Sequence, residues 1–367
     1  MIIQRYFLNF VIMKNLEELY IKHFGDTPSQ IVPLRSDGSD RKIYRIFSQQ
    51  NTSNAKSLTT SIPKTLIGII GNNREENEAF IHFSRHFKKH NLRVPEIYSQ
   101  NLDKGVYIEE DLGDDTLFNW MMDIRRDRGF IDDIKTMYET VVKDLPNFQI
   151  KAGLSIDYSF AYQHTEFARE SMSWDLHYFK HRFLNYFYKS KIDHTKLEID
   201  FNILINYLME ESRDYFLYRD FQSRNVMIKN NTPYYIDYQS GRKGALQYDL
   251  ASLLYDAKAD LPQAFRESLL EIYITETNKY LNLDIDKFKE YFYAFSIIRI
   301  MQALGAYGYL SAVKGKTHFF KSVPFAIRNL EIICNKRIPV LEKCSNLNTI
   351  FANLINDINL REFSDHE

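Results

Sequence analysis

Strand-type and helix-type patterns are segregated along this chain. In the first third, "QIVPLRSDGSDRKIYRIFS" alternates apolar and polar residues on both sides of a polar, Gly-containing centre, which predicts strand, turn and strand, and "TLIGIIG" predicts a third strand. "NREENEAFIHFSRHFKKHN" then places apolar residues at helical spacing, with Glu75, Glu76 and Glu78 early and basic residues late, the order that complements a helix dipole. "VPEIYSQ" and "GVYIEEDLG" predict two more strands. From Thr116 onward the pattern is helical, in segments such as "IKTMYETVVKDLPNFQI" and "KFKEYFYAFSIIRIMQALGAYGYLSAV". This β-β-β-α-β-β start followed by helices predicts an α+β chain of two lobes. Residues 1–112 form a β-rich lobe with an N-terminal helix, residues 113–367 a helical lobe, and the boundary lies near Gly113.

One clear β signal interrupts the helical part. Between Leu217 and Gln239, "LYRDFQSRNVMIKNNTPYYIDYQ" reads as two short strands around the turn residues Asn230, Asn231 and Thr232. Asp220, Asn225 and Asp237 stand at the strand edges. Asp220, in the loop before the first strand, is suited to accept or orient a hydroxyl proton. Asn225 and Asp237 offer one neutral and one charged oxygen, the hard-ligand mixture that suits Mg²⁺ held jointly with substrate phosphates. Each residue alone is an ordinary turn or cap residue, and the chemical reading rests on their joint order.

Two further stretches bear on nucleotide binding. "SDGSDR", Ser36 to Arg41, can bring backbone N–H groups close to phosphates, because Gly38 tolerates positive φ; it also has the composition of an ordinary hairpin turn. "YIEEDLGDDT" runs a strand into Glu110, Asp111, Leu112 and Gly113, either a hinge whose backbone pairs with a purine edge or a plain connector. Neither GxxxxGK[ST] nor GxGxxG occurs.

A hydrophobic fraction of 44% supplies a packed interior, and a formal net charge of -1 provides no basic field for nucleic acid or acidic membranes, so a small molecule is the expected partner. Only Cys334 and Cys344 are present, away from metal-ligand spacing, which fits a reducing compartment. The apolar start "MIIQRYFLNFVIM" lacks a small-residue cleavage pattern and predicts a helix extension, with Met13 an alternative start. No window approaches the roughly 20 apolar residues of a membrane helix. A cytoplasmic location is expected.

"YRDFQSRNVM" followed by "YYIDYQSGRKGALQYDLASLLYD" resembles the catalytic segment of the aminoglycoside phosphotransferase and choline kinase-like family, relatives of the protein kinases. The resemblance runs from about Leu34 to Ala326. With "DGSDRKIYRI", "VPEI" before "EEDLGD", "SWDLHYF" and "RIMQALGAYG", it is closest to the bacterial anomeric kinases of N-acetylmuramate and N-acetylglucosamine. It implies a bilobal protein-kinase-like fold and ATP- and Mg²⁺-dependent phosphoryl transfer to a small acceptor, with a product that a separate nucleotidyltransferase could take up. Asp220 would be the catalytic base and Asn225 and Asp237 the Mg²⁺ ligands. Gly38 and Ser39 would lie in the phosphate-covering loop, and the backbone of Glu110 and Leu112 would hold adenine.

The chain departs from the pattern twice. Tyr218 stands where His is usual, in a position that supports the loop. "TLIGIIG" lacks the Lys that pairs the α/β-phosphates, although Glu75, Glu76 and Glu78 offer its usual helix partner. Arg41, Lys42 or Lys64 could supply the charge. On the acceptor side, Trp174 offers an aromatic face to a sugar or fills the core, Asp175 offers hydroxyl acceptors, and Arg242 offers a cation for phosphate or an anionic substrate, or an ion pair with Asp249. Arg299 and Gln302 could reach the same place. Two alternatives stay open: a cationic acceptor such as an aminoglycoside, a choline-like alcohol or another amino alcohol, and a nucleotide-binding regulatory module without transfer activity.

Overall fold

The structure is a computed structural model that describes residues 2–34, 41–49, 62–188, 190–336 and 338–361, with side chains from Met13 onward. The chain forms two compact units: residues 1–115, 159–163 and 227–240, and residues 116–158, 164–226 and 241–367. This partition differs from a single cut near Gly113, because the end of the central hairpin packs with the sheet.

The first unit is built on a 5-stranded antiparallel sheet in the order β1-β2-β3-β5-β4. Its strands are β1 (Gln30–Leu34), β2 (Lys42–Phe47), β3 (Thr65–Ile70), β4 (Ile97–Asn101) and β5 (Val106–Glu110). Helix α1 (Ile2–Phe24) continues the N-terminal apolar run as expected, and its Leu16, Leu19 and Tyr20 bury one sheet face formed by Tyr44, Ile46, Leu66, Ile70, Val106 and Ile108. Gly68 permits this approach, since a β-carbon there would lie 2.5 Å from a Leu16 methyl. Helix α2 (Arg74–Lys89) starts at Asn73, whose side chain accepts from the Glu76 amide at 3.1 Å, and buries Ala79, Phe80, Phe83 and Phe87. Phe80 stacks on Tyr107 of β5 at 5.6 Å and on Tyr238 at 4.9 Å. The hairpin strands β7 (Val226–Lys229) and β8 (Thr232–Tyr235) pair with each other. Backbone bonds from Ile228 to Asp115 (2.7 Å) and from Tyr235 to Arg93 (2.8 Å) hold the hairpin in this unit.

The second unit is helical. Helices α3 (Leu117–Arg128), α4 (Asp132–Pro146) and α5 (Arg169–Phe179) precede the hairpin, and Leu246–Leu254, Gln263–Thr277, Ile285–Gly308, Val323–Cys334 and Ser345–Asn356 follow it. Ile285–Gly308 is apolar nearly all round, with Phe288, Tyr291, Phe295, Ile298, Met301 and Leu304 buried, as befits a central helix. It packs on α5 at Gly305 and on the turn that follows α5 at Gly308. A β-carbon at 305 would lie 3.0 Å from the Phe179 backbone nitrogen, and one at 308 would overlap the Arg182 carbonyl. Both helices continue into π-type turns, Lys180–Leu184 and Tyr309–Val313.

A short antiparallel pair escapes the sequence patterns: β6 (Tyr215–Leu217) with β9 (Arg242–Gly244), register Leu217↔Arg242. Three-residue strands are too short for alternation to register. Among the described residues no helix is long and apolar enough to cross a membrane.

Candidate active site

The loop after β6 is held in an unusual backbone state. Arg219 has φ 82, a costly conformation for a side-chain-bearing residue, and it persists because its surroundings over-determine it. Fully buried Asp249 accepts the Tyr218 amide at 2.7 Å, the Arg219 amide at 3.0 Å and the Gln149 side chain at 3.1 Å. Burial pushes its carboxyl up to about 7, against the pull of those N–H bonds. Tyr218 is itself buried, with the Phe221 ring edge-on at 5.1 Å, the supporting role expected of it.

The Arg219 side chain is equally committed. It forms a two-point ion pair with Asp175 (2.6 and 2.8 Å), lies over the Phe167 and Tyr248 rings, and donates to the Tyr248 hydroxyl. Burial opposes its charge, but Asp175 holds its pKa above the ordinary arginine value. Asp220 comes next, and its carboxylate is 42% exposed, with Arg299 Nη2 at 3.9 Å. The Asp220 carbonyl accepts from the Gln222 amide and from Asn225 Nδ2, both at 2.9 Å. Asp220 and Asn225 are thus brought together.

Asp237 belongs to the first unit. It too has a left-handed backbone, φ 69, and a carboxylate 38% exposed. Its Oδ1 accepts from Arg41 Nη2 at 3.0 Å and from Gln239 Nε2 at 2.8 Å. Arg41 also reaches Glu76 at 3.4 Å and the Tyr107 hydroxyl at 3.4 Å. Burial disfavours its charge, yet Tyr107, Asp237 and Glu76 hold its pKa above the ordinary value. Beside this group, Glu109 Oε2 is buried without a hydrogen-bond partner, and burial pushes the Glu109 carboxyl up to about 8.

At the predicted hinge, the Glu110 amide donates to the Glu96 carbonyl at 2.9 Å, and Lys229 holds the Glu110 carboxylate at 2.7 Å and the Asp111 carbonyl at 3.1 Å. Arg45 clamps Asp111 and Asp114, and Gly113, φ 91, turns the chain. The Leu112 side chain is buried, and its amide and carbonyl find no partner among the described residues, a donor and acceptor fit for a purine edge. Gly38 and Ser39 lie outside the described residues; β1 and β2, on either side of them, pair with register Leu34↔Ile43.

The acceptor-side candidates separate. Trp174 is 58% exposed, so it is not core filler; its ring stacks on Tyr178 at 4.7 Å. Asp175 is fully buried and paired with Arg219. Arg242 is buried on β9, and burial together with Arg219 lowers its pKa to about 10. Arg299 donates to Ser252 at 2.9 Å and to Gln302.

No cluster of His, Cys, Asp or Glu among the described residues forms a metal cage. By residue type the two metal candidates are hard-cation donors, each described in its own unit: Asn225 donates its amide nitrogen to the Asp220 carbonyl in the second, and Asp237 carries a partly exposed carboxylate in the first. Sequence reasoning singled out Asp249 but not its contacts with the Tyr218 and Arg219 amides, and it gave Arg219 and Glu109 no role; for Glu109, a carboxylate embedded in the apolar run "VYIEE" was the available signal.

No family model matches the chain. A curated N-acetylmuramate/N-acetylglucosamine kinase of Pseudomonas aeruginosa is 22% identical over 336 residues, covering 89% of this chain and 91% of that protein. Among solved structures, choline kinase from Cryptosporidium parvum Iowa II aligns with TM-score 0.54 and 11% identity, covering 88% of this chain and 93% of that one. ADP-bound aminoglycoside phosphotransferase APH(2'')-Ib aligns with TM-score 0.54 and 13% identity (93% and 98%), and amicoumacin kinase hAmiN, in complex with AMP-PNP and Ca²⁺, with TM-score 0.55 and 11% identity (90% and 94%). The chain therefore has the α+β, protein-kinase-like fold of the choline kinases and aminoglycoside phosphotransferases, in agreement with the resemblance carried by its motifs.

Proposed function

We propose that the protein is an ATP- and Mg²⁺-dependent small-molecule kinase whose acceptor is an N-acetylated amino sugar, phosphorylated at its anomeric hydroxyl. The observation that carries this reading is the setting of Asp220. It is a half-exposed carboxylate in a strained loop whose neighbouring polar groups are committed to Asp249, Asp175 and Asn225. A base held this way can orient an acceptor hydroxyl and take its proton without rearranging. Mg²⁺, when bound, supplies charge neutralisation on the transferred phosphate; Asn225 and Asp237 would hold it, and the Leu112 backbone would hold a purine. Glu110, Gly38 and Ser39 complete the nucleotide-binding set in this reading.

The acceptor class follows from charge. Asp175 is buried and paired with Arg219, Asp249 is buried and held by backbone amides, and Arg242 and Arg299 are further buried cations in the same unit. Such surroundings disfavour a cationic acceptor and suit a neutral or anionic sugar. The activity named for the Pseudomonas relative points the same way. Trp174 offers the exposed aromatic face, and Asp175 acts through Arg219. The test is ADP release with N-acetylglucosamine, N-acetylmuramate, aminoglycosides and amino alcohols, with the product position read by NMR. Turnover of a cationic acceptor alone refutes the sugar assignment; no turnover of any acceptor by nucleotide-bound protein refutes phosphoryl transfer.

A further inference from the structure

The third strand carries no cation on the sheet face away from α1. Leu66, Gly68 and Ile70 face Leu16, so the residues on the opposite face are Ile67 and Ile69, across from Glu109 and Tyr107 of β5. Arg41, one residue ahead of β2, reaches that face. Its guanidinium spans three elements, with Nε on Glu76 of α2, Nη1 on the Tyr107 hydroxyl of β5 and Nη2 on Asp237 beyond β8. Two carboxylates from separate elements thus share one side-chain cation. Glu109, the next acid along β5, is displaced toward its neutral form and adds little charge to the group.

We propose that Arg41 has two roles in this protein. Without nucleotide it is the resident counter-ion of Asp237. When the metal and nucleotide arrive, Asp237 passes to the metal while Glu76 retains the guanidinium by its Nε, and the Nη end turns to the phosphates beyond the α-position. This assignment rests on the phosphoryl-transfer reading. The fork geometry matters, because one ammonium cannot hold two carboxylates and a hydroxyl in these directions. It also explains how the phosphate site can lack a third-strand Lys and still carry a fixed positive charge.

The test compares wild type, R41M and R41K by titration calorimetry with MgATP and with AMP, and by Mn²⁺ binding without nucleotide, read by electron paramagnetic resonance. For R41M, ATP affinity should fall by about 30- to 5,000-fold, the range for truncating one partner of a hydrogen-bonded ion pair. AMP affinity should stay nearly unchanged, because AMP lacks the phosphates concerned. Mn²⁺ should bind more tightly than in wild type, because Asp237 has lost its competing cation. R41K should lie between the two on both measurements, and it supplies the same ATP-to-AMP comparison if R41M does not fold. Equal losses for ATP and AMP would make Arg41 merely structural and overturn the proposal, as would Mn²⁺ affinity that is unchanged or weaker. Wild-type ATP affinity in R41M refutes this assignment alone, whereas a wild-type protein that binds no nucleotide refutes the kinase reading with it.

Discussion

Replacing Glu109 with Gln should flatten a pH dependence of stability that the native carboxyl imposes. Glu109 is partly buried on β5, its Oε2 is enclosed without a partner among the described residues, and desolvation raises its pKa from an ordinary 4.5 to about 8. Between those values the folded state holds a proton that the unfolded chain has released, so the stability this group permits is fully present below about pH 4.5 and drains as pH rises to 8. At about 1.4 kcal/mol per unit the displacement is worth up to about 5 kcal/mol, a ceiling, since relaxation around the charged form reduces it. Urea unfolding at pH 5, 7 and 9 measures it. Glu109→Gln should match wild type at pH 5 and exceed it by a few kcal/mol at pH 9. Parallel stability curves for the two proteins across this range would show that Glu109 ionises freely in the folded state and would refute the reasoning.

Asp220→Asn should lower turnover by about two to four orders of magnitude, the usual worth of a positioned base, while nucleotide affinity in calorimetry stays close to wild type. Asp175→Asn should cost about 3–5 kcal/mol in chemical denaturation, because it strands the buried Arg219 cation. Trp174→Ala, at an exposed position, should leave the melting temperature unchanged and raise the acceptor KM without altering that for ATP; equal changes in both would remove it from the acceptor side.

The parts of this fold that were legible in sequence are those with local causes. Helix α2 announced itself through Asn73, Glu76 and the basic last turn, and the hairpin through its Asn-rich turn. The site was legible only in the order of its residue types. What made the rest illegible is separation in sequence. Arg41 meets Asp237 across 196 positions, so nothing near Arg41 distinguishes it from Lys42 or Lys64, and Asp249 meets Tyr218 across 31 positions. Trp174 and Asp175 are neighbours in sequence, yet one is exposed and the other buried, a difference of helix face that the irregular apolar pattern of "SMSWDLHYF" did not resolve.

Under the proposed function, the contacts of Gly305 with α5 and of Gly308 with the Lys180–Leu184 turn bear on how acceptor preference can change. The helix bearing Trp174 and Asp175 and the helix bearing Arg299 and Gln302 approach closely there: a β-carbon at 305 would meet a Tyr178 ring carbon at 2.9 Å and the Phe179 backbone nitrogen at 3.0 Å. Rigid mounting of this kind lets residues at the helix surface, Trp174 and Gln302 among them, be exchanged one at a time while their anchor points stay fixed. A library that tests the proposed acceptor role of these positions should therefore randomise them and hold both glycines constant, because any side chain at 308 would overlap the Arg182 carbonyl and drive the two segments apart.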